Sequence, residues 1–174
     1  NPPLTRATHE GKLGIGKLLI PCAVTEDGTR LLTQYGFLMA IGRSGKPAGG
    51  RGSGFEKVPP FLALDSLKPF ISKELEASTI PLQFKTRTGK AWGYRAELLP
   101  QVCEVYLKAR DAGALQKHQE KFARACDALM RALAHIGIVA LVDEATGYQE
   151  VRDRKALQAI LDAFLRKELA AWAS

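Results

Sequence analysis

The chain has 174 residues, 46% of them hydrophobic and 25% charged, with a formal net charge of +7. That length holds one domain, or one domain with a helical extension, and it can bury a sizeable core. No unbroken apolar run approaches the roughly 18 to 20 residues that span a bilayer, and Asn1-Pro2-Pro3 lacks the basic and apolar regions of a signal peptide. Cys22, Cys103 and Cys126 are scattered and each sits among apolar neighbours, which fits reduced thiols and not a disulfide framework. The expectation is a cytoplasmic protein with no membrane contact.

In chain order, residues 1–11 are polar and read as a flexible, frayed tail. Lys12 to Ala23 is rich in Leu and Ile, and Glu26-Asp27-Gly28-Thr29 supplies a hairpin turn. Two strands are expected there, the first at about 13–16 or 18–25 and the second at about 29–32. Gln34 to Ile41 reads as a short helix with Phe37, Leu38 and Ile41 on one face. Gly42 to Gly54 is the clearest loop, glycine-rich and without apolar periodicity, and should be mobile when nothing is bound.

Pro59-Pro60 opens another predicted helix, burying Phe61, Leu62, Leu64, Leu67, Phe70 and Ile71. Ile80 to Phe84 and Ala91 to Ala96 form a second hairpin across Thr88-Gly89-Lys90. From Glu97 the apolar period becomes helical: one helix runs to Gly113 and a longer one, from Leu115, ends near Gly137. A last helix carries Leu157, Ile160, Leu161, Phe164, Leu165, Leu169 and Trp172 on one stripe. The fold class expected is α+β: small N-terminal antiparallel hairpins with short helices, followed by a helical C-terminal half. The basic α+β part covers 12–96 and the helical part 97–174, with one continuous domain as the alternative.

The positive charge is concentrated. Ten Lys or Arg lie between Arg43 and Arg95 (43, 46, 51, 57, 68, 73, 85, 87, 90, 95) against four acids (56, 65, 74, 76), a local balance of +6. In the glycine-rich loop, Arg43, Lys46 and Arg51 could follow a polyanion backbone, since glycine lets main-chain N–H groups approach phosphates; a solvated surface loop is the plain alternative. The loop contains no Walker pattern, and it follows a helix, not a strand, so it does not read as a nucleotide site. Lys85, Arg87 and Lys90, with Trp92, Tyr94 and Arg95 nearby, read as a basic hairpin with aromatic support. Such a ribbon can enter a DNA groove or stack on exposed bases; the alternative is an ordinary turn whose aromatics face the core.

The stretch Gly137 to Gln149, G-I-V-A-L-V-D-E-A-T-G-Y-Q, joins an apolar run to a polar turn. Adjacent Asp143 and Glu144 invite a general-base or metal reading. Thr146-x-x-Gln149 has the form of a capping box, which would make the stretch a joint that starts the last helix. Tyr148 reads as a packing residue. His9, His118 and His135 are far apart, and no His/Cys pair has zinc spacing, so no metal and no other cofactor is expected.

L-V-D-E-A-T-G-Y-Q at 141–149, preceded by Ala134-His135-Ile136-Gly137-Ile138, resembles the signature of a bacterial and phage family, the P-sixty-three-C domain proteins. Glu26-Asp27-Gly28-Thr29-Arg30, Gly42-Arg43-Ser44-Gly45 and the segment Glu97 to Leu107 are similar to segments of the same family. The resemblance marks Asp143, Glu144, Thr146, Gly147, Tyr148 and Gln149 as family-motif residues and covers the chain from about Thr8. It implies a phage or mobile-element origin, and a further segment after the equivalent of Trp172. The layout is also loosely similar, at fold level only, to the N-terminal DNA-binding domains of phage antirepressors of the KilA and BRO type.

Three functions follow as expectations. The first is a regulatory protein that binds nucleic acid, DNA ahead of RNA, through Arg43, Lys46, Arg51, Lys85, Arg87, Lys90 and Arg95. The second is an antirepressor-like module that captures a phage or host protein through its helical half. The third is a hydrolase or nuclease using Asp143 and Glu144. A homo-oligomer, formed through the C-terminal helix, is compatible with the first two.

Overall fold

The computed structural model describes residues 4–41, 62 and 64–173, with side chains through residue 168. Five strands form one sheet: β1 (Ala7–Ile15), β2 (Leu18–Thr25), β3 (Arg30–Thr33), β4 (Leu82–Thr86) and β5 (Gly89–Arg95), in the order β1-β2-β3-β5-β4. Every neighbouring pair in that order is antiparallel. Helices α1 (Gln34–Ala40) and α2 (Lys73–Ser78) lie between β3 and β4; α3 (Leu98–Asp111), α4 (Glu120–Thr146) and α5 (Ala156–Ala173) make up the C-terminal half. The class is α+β, an antiparallel sheet followed by helices.

Both sites proposed for the first strand are strands, joined by a two-residue turn at Gly16-Lys17. Ile15 pairs with Leu18, and Gly16 takes a positive φ of 61° that closes the hairpin tightly. Strand β1 also takes in residues 7–11, which the sequence had assigned to a frayed tail. Those residues are mostly exposed and polar, so no apolar alternation marks them; their backbone pairing with β2 is what orders them. The sheet bends enough for the chain before β1 to reach the opposite edge. The Lys85 amide donates to Thr5 O at 2.9 Å, and Arg6 bridges to Lys85 in parallel.

Alternation along the strands divides the apolar residues between two faces. One face sends Ile20, Leu32 and Tyr94 into the main core, where they meet Phe37 and Leu38 of α1 and the apolar sides of α3, α4 and α5. Phe37 and Tyr94 pack with ring centroids 5.0 Å apart. The other face holds a small cluster of Ala23, Leu31 and Phe84. The main core runs without a break from Ile15 in the sheet to Leu165 in α5, so residue 96 divides no two cores.

Caps and breakers explain most helix ends. Thr33 accepts the Gly36 amide at the start of α1, and Ser72 accepts the Leu75 amide at the start of α2. Gly113, at φ 70°, follows the end of α3. The helix expected from Pro59 lies partly outside the described residues; within them, the chain makes turns at 65–67 and a single 3-10 turn at Lys68–Phe70, while Leu62 and Leu67 are fully buried. Cys103 and Cys126 meet as free thiols between α3 and α4, where mutual hydrogen bonding and burial push the Cys103 thiol far up.

The largest difference concerns α4. It does not stop near Gly137 but continues for 27 residues to Thr146. An interior glycine costs a helix only about 1 kcal/mol relative to alanine, too little on its own to break a long one. The stop comes at Gly147, which adopts the left-handed conformation at φ 80° and sends its amide back to Glu144 O. Antiparallel α5 then returns along α4. Arg131 forks onto Glu168 at 2.8 and 2.7 Å and His135 stacks on Phe164, while Arg152, ahead of α5, reaches Asp143.

Candidate functional site: a cationic hairpin edge

The β4–β5 hairpin turns through Arg87-Thr88, so that Thr86 pairs with Gly89 and Lys85 with Lys90. Thr86 Oγ1 donates to Gly89 O at 2.8 Å across the turn. The turn therefore sits one residue earlier than the sequence placed it. Because Arg6 bridges to Lys85, three basic residues stand side by side on adjacent strands: Arg6, Lys85 and Lys90. Like charges directly opposite one another across a ladder oppose pairing, so this row carries a standing electrostatic cost. Among the described residues no carboxylate forms an ion pair with any of the three. Arg6 is the member that sequence reasoning missed, since it lay in the supposed tail; only the closing of the sheet brings it here.

These residues, with Ala7, Thr86, Arg87 and Gly89, line a shallow groove of about 340 Å³. Arg87 is more constrained than its neighbours. Its amide donates to Glu10 Oε2 at 2.9 Å, and its Nε lies 3.8 Å from the same oxygen. That carboxylate fixes the turn against β1 and offsets part of the local charge. Glu26 also approaches, taking the Arg6 amide at 3.4 Å.

The two aromatics of the hairpin have different fates. Tyr94 belongs to the core, 2% exposed, with its hydroxyl accepting from Gln34 Nε2 and its ionisation pushed up by burial. Trp92 stands two residues from Lys90 on the same face of β5 and is 50% exposed. A cationic row beside an exposed indole can hold a phosphate backbone and stack a base. Arg95 is not part of this group. It lies at the far end of β5, paired with Leu31, an odd number of positions from Lys90 and so on the alternate face. Arg43, Lys46 and Arg51 lie outside the described residues.

The 137–149 segment is arranged differently from the expected joint. Thr146 closes α4 from within: its hydroxyl donates back to Val142 O at 2.8 Å and accepts the Tyr148 amide at 3.3 Å. No capping box starts a helix there. The residues after Gly147 make only one 3-10 turn, Tyr148–Glu150, and α5 begins at Ala156. Tyr148 is 57% exposed instead of packed. Asp143 is committed to Arg152 at 2.7 Å with both side chains largely covered, whereas Glu144 and Gln149 face solvent. Successive residues on a helix point about 100° apart, so adjacency in sequence does not converge the two carboxylates on one reacting atom. Among the described residues no group of three His, Cys, Asp or Glu side chains could hold a metal ion.

Comparison with protein-family models, with curated proteins and with solved structures gave no match to this chain.

Proposed function

We propose that the protein binds nucleic acid through the edge of its β4–β5 hairpin, with Arg6, Lys85 and Lys90 on phosphates and Trp92 against a base. The observation that carries this reading is the row of three basic residues on adjacent strands with no carboxylate ion-paired to them. A polyanion laid along the row would relieve their repulsion and release counterions on binding. The exposed indole beside the row favours single-stranded DNA, because stacking needs an unpaired base. A role in phage or mobile-element regulation is part of the same proposal, supported by the resemblance of residues 141–149 to the P-sixty-three-C signature.

Fluorescence anisotropy with labelled single-stranded and duplex oligonucleotides, repeated across a salt series, tests the reading. Each phosphate contact contributes a slope of about 0.7 (single strand) to 0.9 (duplex) in log affinity against log salt. Lys85→Ala with Lys90→Ala should lower the slope by nearly two such contacts. Trp92→Ala should weaken single-strand binding by about 1–3 kcal/mol while leaving the slope unchanged. Absence of binding to either oligonucleotide at about 50 mM salt sinks the proposal.

A further inference from the structure

The C-terminal half of α4 leaves the core. From 134 onward one side of it leans on α5, and the other meets nothing among the described residues. On that free side lie Ala134, Ile138, Leu141 and Ala145, all exposed, with Ile138 at 58% and Leu141 at 64%. Their spacing is four, three and four residues, which on an α-helix makes one narrow stripe about 17 Å long. Val142, 51% exposed, widens it. Between Arg131 and Asp143 the helix carries no Asp, Glu, Lys or Arg at all.

We propose that this stripe is a self-association face, on which a second copy of the chain packs its own α4 antiparallel about a two-fold axis. The two α4–α5 hairpins then form a four-helix bundle. The case for a second copy is symmetry. A two-fold interface must map onto itself when one helix is reversed. The stripe does so: its 4-3-4 spacing reads the same in both directions, and so does its order of small, large, large, small. Reversal sets Ile138 against Leu141 and Ala134 against Ala145, so the bulky pair meets in the middle and the helices close in at both ends. Charge is compatible with the same arrangement. Glu144 falls level with the His135 turn of the other copy, and not beside another carboxylate.

The rim of the hairpin tip also argues for a second copy over the membrane surface. Asp143 and Arg152 neutralise each other, which leaves Glu144, Glu150 and Asp153 against Arg154 and Lys155. An anionic bilayer selects a strongly basic rim, and this one is slightly acidic. The segment Lys117–Thr146 contains an 18-residue window long and apolar enough to cross a membrane, with a mean hydropathy of 1.7. However, its first half is built into the protein, with Cys126, Leu129 and Ala132 in the core and Arg131 forked onto Glu168. The site is also distinct from the end of α5, which the sequence had put forward as the oligomer contact.

Light scattering coupled to size exclusion, over about 5 to 200 µM, reads the mass directly. The expected result is twice the 19.0 kDa of one chain at the upper concentrations. Ile138→Glu with Leu141→Glu should give a monomer with an unchanged circular-dichroism spectrum, because both side chains are exposed in the single chain. Leu169→Ala with Trp172→Ala, at the end of α5, should leave the dimer intact. A wild-type chain that is monomeric throughout overturns the proposal, as does a charged α4 variant that remains dimeric. So does co-sedimentation of a monomeric wild type with neutral or anionic vesicles that the α4 variant abolishes, which would give the stripe to lipid.

Discussion

Asp27 shows how much one exposed side chain can hold in place. Its carboxylate accepts from the hydroxyl of Thr25 and, at 3.1 Å, from the amide of Thr29, so the E-D-G-T turn is organised around an anion. Hydrogen bonds that need the charged form hold its ionisation well below the usual carboxylate range, at about 2. A depressed carboxyl stabilises the fold above its unfolded-chain value and loses that contribution as pH falls through the folded one. The window is therefore about pH 4 down to about pH 2. A carboxyl titration by NMR should give a midpoint near 2 for Asp27, and Asp27→Asn should flatten acid destabilisation across that window; a midpoint near 4 would contradict the geometry. The same turn was legible in the sequence because Asp and Gly act locally. Thr146 was misread for the same kind of reason: it and Gln149 have the form of a cap, but Gly147, one residue on, is the stronger signal, and it ends a helix.

At the scale of elements, the strands and helices that carry their own apolar period were legible, and those held by distant partners were not. α1 and α3 fall where Phe37 and Val102 put them, and the β4–β5 hairpin turns one residue before the expected Thr88-Gly89-Lys90. The first half of β1 escaped notice because no apolar alternation marks residues 7–11, and Arg6 escaped with it. The cationic row was only half visible: Lys85 and Lys90 face each other within a hairpin, whereas Arg6 arrives from a strand far away in sequence. Close approach between strands supplies a direct test of the sheet. A Cβ at Gly93 would stand 2.7 Å from the Leu32 carbonyl oxygen and 3.1 Å from the Phe84 ring. Backbone cannot yield as a flexible side chain can, so Gly93→Ala should cost about 1–3 kcal/mol in urea unfolding. The half-buried Gly137, inside α4 and with nothing within 4 Å of a Cβ, should instead gain up to about 1 kcal/mol on replacement by alanine.

Over the whole molecule, the sheet and the helical half share one core, and a polar clasp reinforces the seam. Gln158 of α5 turns its amide onto the backbone of Gly14, accepting the N–H and donating to the C=O, both at 3.0 Å. In hydrogen-bonding terms the side chain stands in for the next strand. Gln158→Leu keeps the bulk and removes both bonds, so it should cost about 1–3 kcal/mol and lower the midpoint of thermal unfolding. The larger consequence is colloidal. An unclasped β1 would present bare N–H and C=O groups at a sheet margin, which is the template on which foreign chains add. Loss of Gln158 should therefore register, in a concentrated stored sample, as growing fibrillar turbidity before it registers as lost structure, with one amide having stood between this fold and its own polymer.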